Sequence, residues 1–125
     1  MSITDLPAIG RPLDGGIFAG LTTKPDGTHC AVVLLPGYAE GLTWSLAKAW
    51  AKAQGGELPS RPVAAMPFAN VKASLKKPKW HWTSEEYDAS FAWGCYFGHG
   101  AQGYYRKSYE GSVVAVRYIT IGDSK

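Results

Sequence analysis

The sequence predicts an α+β fold, with two helices packed against a twisted antiparallel sheet. Three observations carry that reading. Fifteen glycines and eight prolines among 125 residues call for many turns, and so for short strands rather than a helical bundle. Two apolar stretches in the middle of the chain have the start signals of helices. The C-terminal third consists of short β-branched and aromatic runs separated by turn residues. The length fits a single domain, 1–125, able to bury a core without staples. A composition 46% hydrophobic and 18% charged excludes a disordered chain. The net charge of +3 is too mild to point to nucleic acid.

Taken in order, residues 1–16 are rich in proline and glycine and are expected to be a loosely packed lead-in. Residues 17–41 read as a strand pair. Ile17 to Leu21 form the first strand. "KPDG", Lys24 to Gly27, has proline at the second turn position and glycine at the end. His29 to Leu35, "HCAVVLL", is a continuous apolar run suited to a buried strand.

Residues 42–76 hold the two helices. In "LTWSLAKAWAKAQGG" the Thr43 hydroxyl can accept from an unpaired N–H of the first turn. Leu46, Ala47, Trp50, Ala51 and Ala53 fall on one side, and Gly55 and Gly56 supply a left-handed stop. "LPSRPVAAMPFANVK" has Ser60 as its N-cap and Pro62 in the first turn, where no intrahelical partner is lost. Val63, Ala64, Met66 and Phe68 are its apolar face. Pro67 removes a hydrogen bond further in, so a kink or an early end is expected there. "SLKKPK" follows as a solvated loop.

Residues 80–121 read as antiparallel strands: "WHWTS", "FAWGCYF", "YYRKS" and "SVVAVRYI". Period two puts Phe91, Trp93, Cys95 and Phe97 on one face and Ala92, Gly94 and Tyr96 on the other. "VVAVRYI" is apolar on both faces except at Arg117, so it is expected to be central and covered twice. Arg117 is then expected to pair with Glu57, Glu85 or Glu110.

Cys30 and Cys95 lie in apolar runs, with no CxxC and no histidine at zinc spacing, and read as buried free thiols. The N-terminal stretch lacks a basic segment followed by an apolar one, so no signal peptide is expected, and no apolar run approaches a membrane span.

Gly55, Gly56, Leu58, Pro59, Ser60 and Arg61, then His81 to Ser84, then Ala92, Trp93 and Phe97, then Val116 and Arg117 occur in an order that resembles a known family. It is the family named after the C-terminal domain of the Legionella collagen-like adhesin, and the resemblance covers residues 42–119. It implies a C-type-lectin-like fold. That fold is shared with the formylglycine-generating enzymes and with the variable receptor-binding proteins of phage diversity-generating systems. It also implies a phage or prophage origin and a place in the bacterial host cytoplasm or the virion. Val63 stands where the family pattern has glutamate, and Pro67 where it has an aliphatic residue.

No enzymatic activity, cofactor or metal is expected. The calcium-binding motifs of C-type lectins do not occur, and Glu85, Glu86 and Asp88 read as a solvated cluster rather than a calcium site. His29, His81 and His99 are scattered, with no nucleophile motif beside them. Trp44, Trp50, Trp82, Trp93 and Phe97 fit core positions.

Tyr87, His99, Gln102, Tyr104, Tyr105, Arg106 and Tyr109 are the candidate binding residues. Tyrosine and arginine among small residues, in and beside turns, is the composition of a recognition surface. The expected function is that of a recognition module for a host protein or glycan. The alternative is a small intracellular inhibitor of a host defence system, acting by protein–protein contact in the manner of an anti-CRISPR protein. Single-stranded nucleic acid could meet "YYRKSY" through stacking and phosphate contacts, but the same pattern describes a polar sheet face. No membrane partner is expected, and oligomerisation is open.

Overall fold

The computed structural model describes residues 1–71 and 79–122, with the side chains at 68 and 69 outside that description. A turn of 3-10 helix (Ile3–Asp5) precedes β1 (Pro12–Leu13), β2 (Gly16–Thr23), β3 (His29–Leu34) and β4 (Ala39–Leu42). Helices α1 (Trp44–Ala53) and α2 (Arg61–Asn70) follow, then β5 (Trp80–Glu86), β6 (Phe91–Tyr96), β7 (Gln102–Arg106), β8 (Gly111–Val113) and β9 (Val116–Thr120). The class is α+β, but the strands form two sheets rather than one. The first has the order β1-β2-β3-β9 and the second β4-β8-β5-β6-β7. All pairings are antiparallel except the contact of β5 with β8, which is parallel at His81 and Ser112.

The β2–β3 hairpin matches the sequence reading. Its turn closes through Gly27 N–H on the Lys24 carbonyl, with Gly27 at φ 88°. Strand β3 is buried from Cys30 onward because alternate side chains feed two cores. Val32 and Leu34 join Ala19, Val63, Ala64, Cys95 and Phe97. Val33 and Leu35 join Trp44, Ala47, Ala51, Trp82 and Ala92. Residues 1–16 are tied to this unit through β1, which pairs with β2 at Pro12–Ile17 and Leu13–Gly16.

The expected single strand over "VVAVRYI" is two strands. The run leaves the second sheet after Val113 and enters the first at Val116. Its four buried residues, 113 to 116, alternate between the two cores, which is why both faces read as apolar. Beyond them, β9 is an edge strand, bridged at Val116 by Glu57. Arg117 therefore lies half-exposed. It bonds the Asp14 carboxylate at 3.1 Å, the Asp14 carbonyl at 2.8 Å and the Gly55 carbonyl at 3.1 Å. None of the three expected glutamates is its partner.

Helix α1 begins at Thr43, whose hydroxyl accepts from Leu46 N–H. It ends as expected: Gly55, at φ 85°, donates to the Lys52 carbonyl and Gly56 to the Ala51 carbonyl, the paired closure of a Schellman stop. The buried face is Trp44, Ala47 and Ala51. Leu46, expected in that face, is 56% exposed, and Ala53 is exposed too. The two small alanines let the helix lie close to the sheet, and the Trp44 indole N–H on the Thr83 carbonyl fixes its rotation.

Helix α2 starts at Ser60, whose hydroxyl accepts from Val63 N–H, and carries Pro62 in its first turn. It does not end at Pro67. It continues to Asn70 with Pro67 buried, and Val71 N–H caps the Pro67 carbonyl. Packing of Val63 and Ala64 against β2 and β6 outweighs one missing N–H. The expected loop at 74–79 lies outside the described residues except for Lys79, as does the Phe68 side chain.

Candidate functional site: an aromatic face on strands β5 to β7

The second sheet has two faces, and α2 covers only part of one. Cross-strand pairing sets Cys95 opposite Gln102, Trp93 opposite Tyr104 and Phe91 opposite Arg106. At the Cys95 end the face is buried under α2, where the Cys95 thiol lies 3.8 Å from the Ala64 carbonyl. Burial pushes the thiol's pKa up, so it is a poor thiolate source. Cys30 is buried as well, and both cysteines are free. Past the first turn of α2 the face is open.

The open part is an aromatic cluster. The Tyr87 and Tyr104 rings stack with centroids 4.1 Å apart and planes within 1°. They are 49% and 48% exposed. Trp93 stands edge-on to Tyr104 at 5.5 Å and Phe91 at 5.6 Å. Such offset and edge-to-face contacts are worth roughly 0.5–1.5 kcal/mol each beyond area burial. Tyr87 is placed by the β5–β6 turn, where the Asp88 carboxylate accepts from Ser90 N–H at 2.8 Å and Phe91 N–H at 2.9 Å.

Arg61 borders the cluster. Its guanidinium lies 3.5 Å over the Trp93 ring, and its Nε donates to the Gln102 side-chain carbonyl at 3.0 Å. The Gln102 amide returns a bond to the Arg61 carbonyl at 2.7 Å. Glu85 Oε2 accepts from Arg61 N–H at 2.7 Å. That bond puts a carboxylate at the start of α2, where the helix dipole favours negative charge. The N-cap's own N–H, at Ser60, reaches the Tyr118 hydroxyl at 3.5 Å. Glu85→Ala should therefore cost about 1–2 kcal/mol in urea unfolding, and Glu85→Gln, which keeps an acceptor, most of a kcal/mol less. An alanine variant as stable as the parent would show the bond to be idle.

Of the seven expected binding residues, Tyr87, Gln102, Tyr104 and Arg106 share this face. Arg106 is exposed, its guanidinium 5.2 Å over Phe91. Tyr105 does not share it. As the next residue along β7 it points to the opposite face, half-buried and stacked on Trp80 at 4.3 Å. Tyr109 leans on Trp80 at 5.7 Å and is 58% exposed. A shallow pocket of about 410 Å³ at the β7 edge lies between the two sets, lined by Phe91, Tyr104, Tyr105, Arg106, Ser108 and Tyr109. His99 stands apart, exposed in its turn, stacked on Tyr96 at 4.4 Å and accepting from Ala101 N–H.

The sequence reading missed Arg61, Phe91 and Trp93 as surface residues. Trp93, expected in the core with Trp82, lies on the opposite face of the sheet. Trp82 is opposite Gly94 in the ladder, one residue out of step with Trp93. Trp93 is half-buried under Arg61, and Trp82 is fully buried.

The three acids separate: Glu85 caps α2, Glu86 pairs with Lys107, and Asp88 holds its turn. Among the described residues no group of three His, Cys, Asp or Glu side chains could hold a metal. Thr23 Oγ1 and His29 Nδ1 are 2.8 Å apart beside a hollow of about 610 Å³. Among the described residues no carboxylate bonds the His29 ring to orient it as a base. No described helix is long and apolar enough to cross a membrane. No family model matches the chain, and no curated protein matches it.

Proposed function

We propose that the chain is a non-enzymatic recognition module on a C-type-lectin-like scaffold, encoded by a phage or prophage, that binds a host protein through the open face of β5 to β7. The observation that carries the reading is the Tyr87–Tyr104 stack, half-exposed yet packed edge-on against Trp93 and Phe91. Rigid aromatic side chains bring contact area at low entropic cost, and tyrosine, tryptophan and arginine dominate binding hot spots. A protein fits better than a glycan. The open part is mostly aromatic ring, and the polar groups beside it, Arg61 Nε, Gln102 and Glu85 Oε2, are held in internal bonds. The reading of an intracellular defence inhibitor uses the same surface and differs in the identity of the partner.

The test is a binding screen of the purified chain against host envelope proteins, host nuclease complexes and a glycan array. Tyr87→Ala and Tyr104→Ala are run beside Lys52→Ala on α1. Binding to a protein, weakened at least about tenfold by Tyr104→Ala and unchanged by Lys52→Ala, supports the proposal. A nuclease complex as that protein selects the inhibitor reading. Binding to glycans alone, or protein binding indifferent to both tyrosines, overturns it.

A further inference from the structure

We infer that β7 is a pairing edge through which two copies of this chain join their second sheets. β7 is the outer strand of its sheet. Tyr96 N–H bonds the Ala101 carbonyl and Lys107 N–H bonds the Ser90 carbonyl. In an antiparallel ladder the bonded residues alternate, so 103 and 105 face β6 while Gln102, Tyr104 and Arg106 direct their backbone N–H groups outward. Among the described residues nothing bonds the Gln102 or Tyr104 backbone on that side. The Arg106 carbonyl accepts from Tyr109 N–H at 2.9 Å, which leaves its N–H free.

Exposed edges are normally blunted by short strands, bulges or cover. β1 has two residues, β4 has a register shift, and β9 is bridged by Glu57. By contrast, β7 pairs with β6 over five residues without a shift. Another extended backbone would pair these outward groups.

The sequence of β7 fits itself. A two-fold axis at Tyr104 lets each Tyr104 exchange both backbone bonds with its counterpart. Each Arg106 N–H then meets the Gln102 carbonyl of the second copy, and no like charges are opposed. On the other face Gly103 falls opposite Tyr105 of the second copy. Neither backbone nor packing holds position 103 to glycine: its φ is not positive, and an added Cβ would make only an ordinary contact with Tyr105, at 3.8 Å. The bare Gly103 leaves that cross-strand pair uncrowded while Tyr105 stays stacked on the Trp80 of its own chain. The pairing leaves the Tyr87–Tyr104 face open and sets two such faces side by side, so it stands whether or not that face binds a host protein. A five-residue edge falls short of the roughly 1,200 Å² at the lower end of stable interfaces, so the dimer should dissociate on dilution.

Sedimentation equilibrium across a wide concentration range tests this, beside amide hydrogen exchange. The wild-type chain should shift from dimer to monomer on dilution, and the Tyr104 amide should exchange about tenfold faster in the dilute sample. Gly103→Lys, which has room in the monomer, should remain monomeric throughout with an unchanged circular dichroism spectrum. A wild-type chain monomeric at every concentration overturns the inference and leaves the edge to a segment of another protein. So does a dimer whose Tyr104 amide is unaffected by dilution, a readout that needs no variant. A folded Gly103→Lys chain that still dimerises overturns it as well.

Discussion

Trp82→Ala should lower the unfolding free energy by about 4 kcal/mol, from the roughly 3–5 kcal/mol that truncating a buried aromatic costs. Trp82 is fully buried in the core beneath α1. Its ring stands edge-on to Trp80 at 4.8 Å and to Tyr105 at 6.5 Å. Its indole N–H donates to the Leu42 carbonyl at 2.9 Å, tying β5 to β4, two strands away in the sheet. Truncation removes the apolar transfer term, opens a cavity that the flanking ladder cannot close, and strips Leu42 of a donor. For a domain stable by some 5–15 kcal/mol, that is a large share of the whole. Urea unfolding should show a midpoint lowered with little change in slope. Trp82→Phe keeps most of the ring and loses the donor, so it should fall between the two, nearer the parent. A Trp82→Ala loss below about 1.5 kcal/mol would mean that the sheet collapses around the gap, and that the core is less tightly packed than described.

Those features that rest on local rules were legible in the sequence. The β2–β3 hairpin follows from a turn and two apolar runs. The bounds of α1 follow from Thr43 and the two glycines, and the start of α2 from Ser60. What was not legible depends on which face meets which. A run such as Val113 to Val116 is apolar throughout whether it sits inside one sheet or steps between two cores. Leu46 has the right spacing for the buried side of α1, but Ala47 and Ala51 set the approach and leave it outside. Asp14 reaches Arg117 across most of the chain, and no spacing rule covers such a pair. The aromatic face shows the same division. Tyr87, Tyr104 and Arg106 were found by composition, and strand period alone separates Tyr104 from Tyr105 once β7 is recognised. Arg61 could not be placed over Trp93 without the register of β6 against α2.

A second large effect should appear as the pH falls. His81 is buried, 2% exposed, stacked on Phe97 at 4.1 Å, and paired in the sheet with Cys95 and Ser112. Its Nδ1 lies 2.8 Å from the Lys79 carbonyl. A carbonyl only accepts, so Nδ1 carries the proton of the neutral ring. Burial lowers the pKa from 6.5 to about 4, against smaller upward pulls from that carbonyl and from Glu40. In the unfolded chain the histidine takes up its proton near pH 6.5; in the folded chain it does so only near pH 4. Between those values the unfolded state binds more protons, so stability rises with pH. The contribution is full above pH 6.5 and is lost on acidification at about 1.4 kcal/mol per pH unit, some 3 kcal/mol by pH 4. Urea midpoints compared at pH 6.5 and about pH 5 should register roughly 2 kcal/mol of this, before most carboxylates begin to titrate. His81→Gln should cost stability at neutral pH but flatten the profile over that interval. If the variant keeps the parent's slope, the proton responsible lies elsewhere, and His81 is charged in the fold or not buried as described.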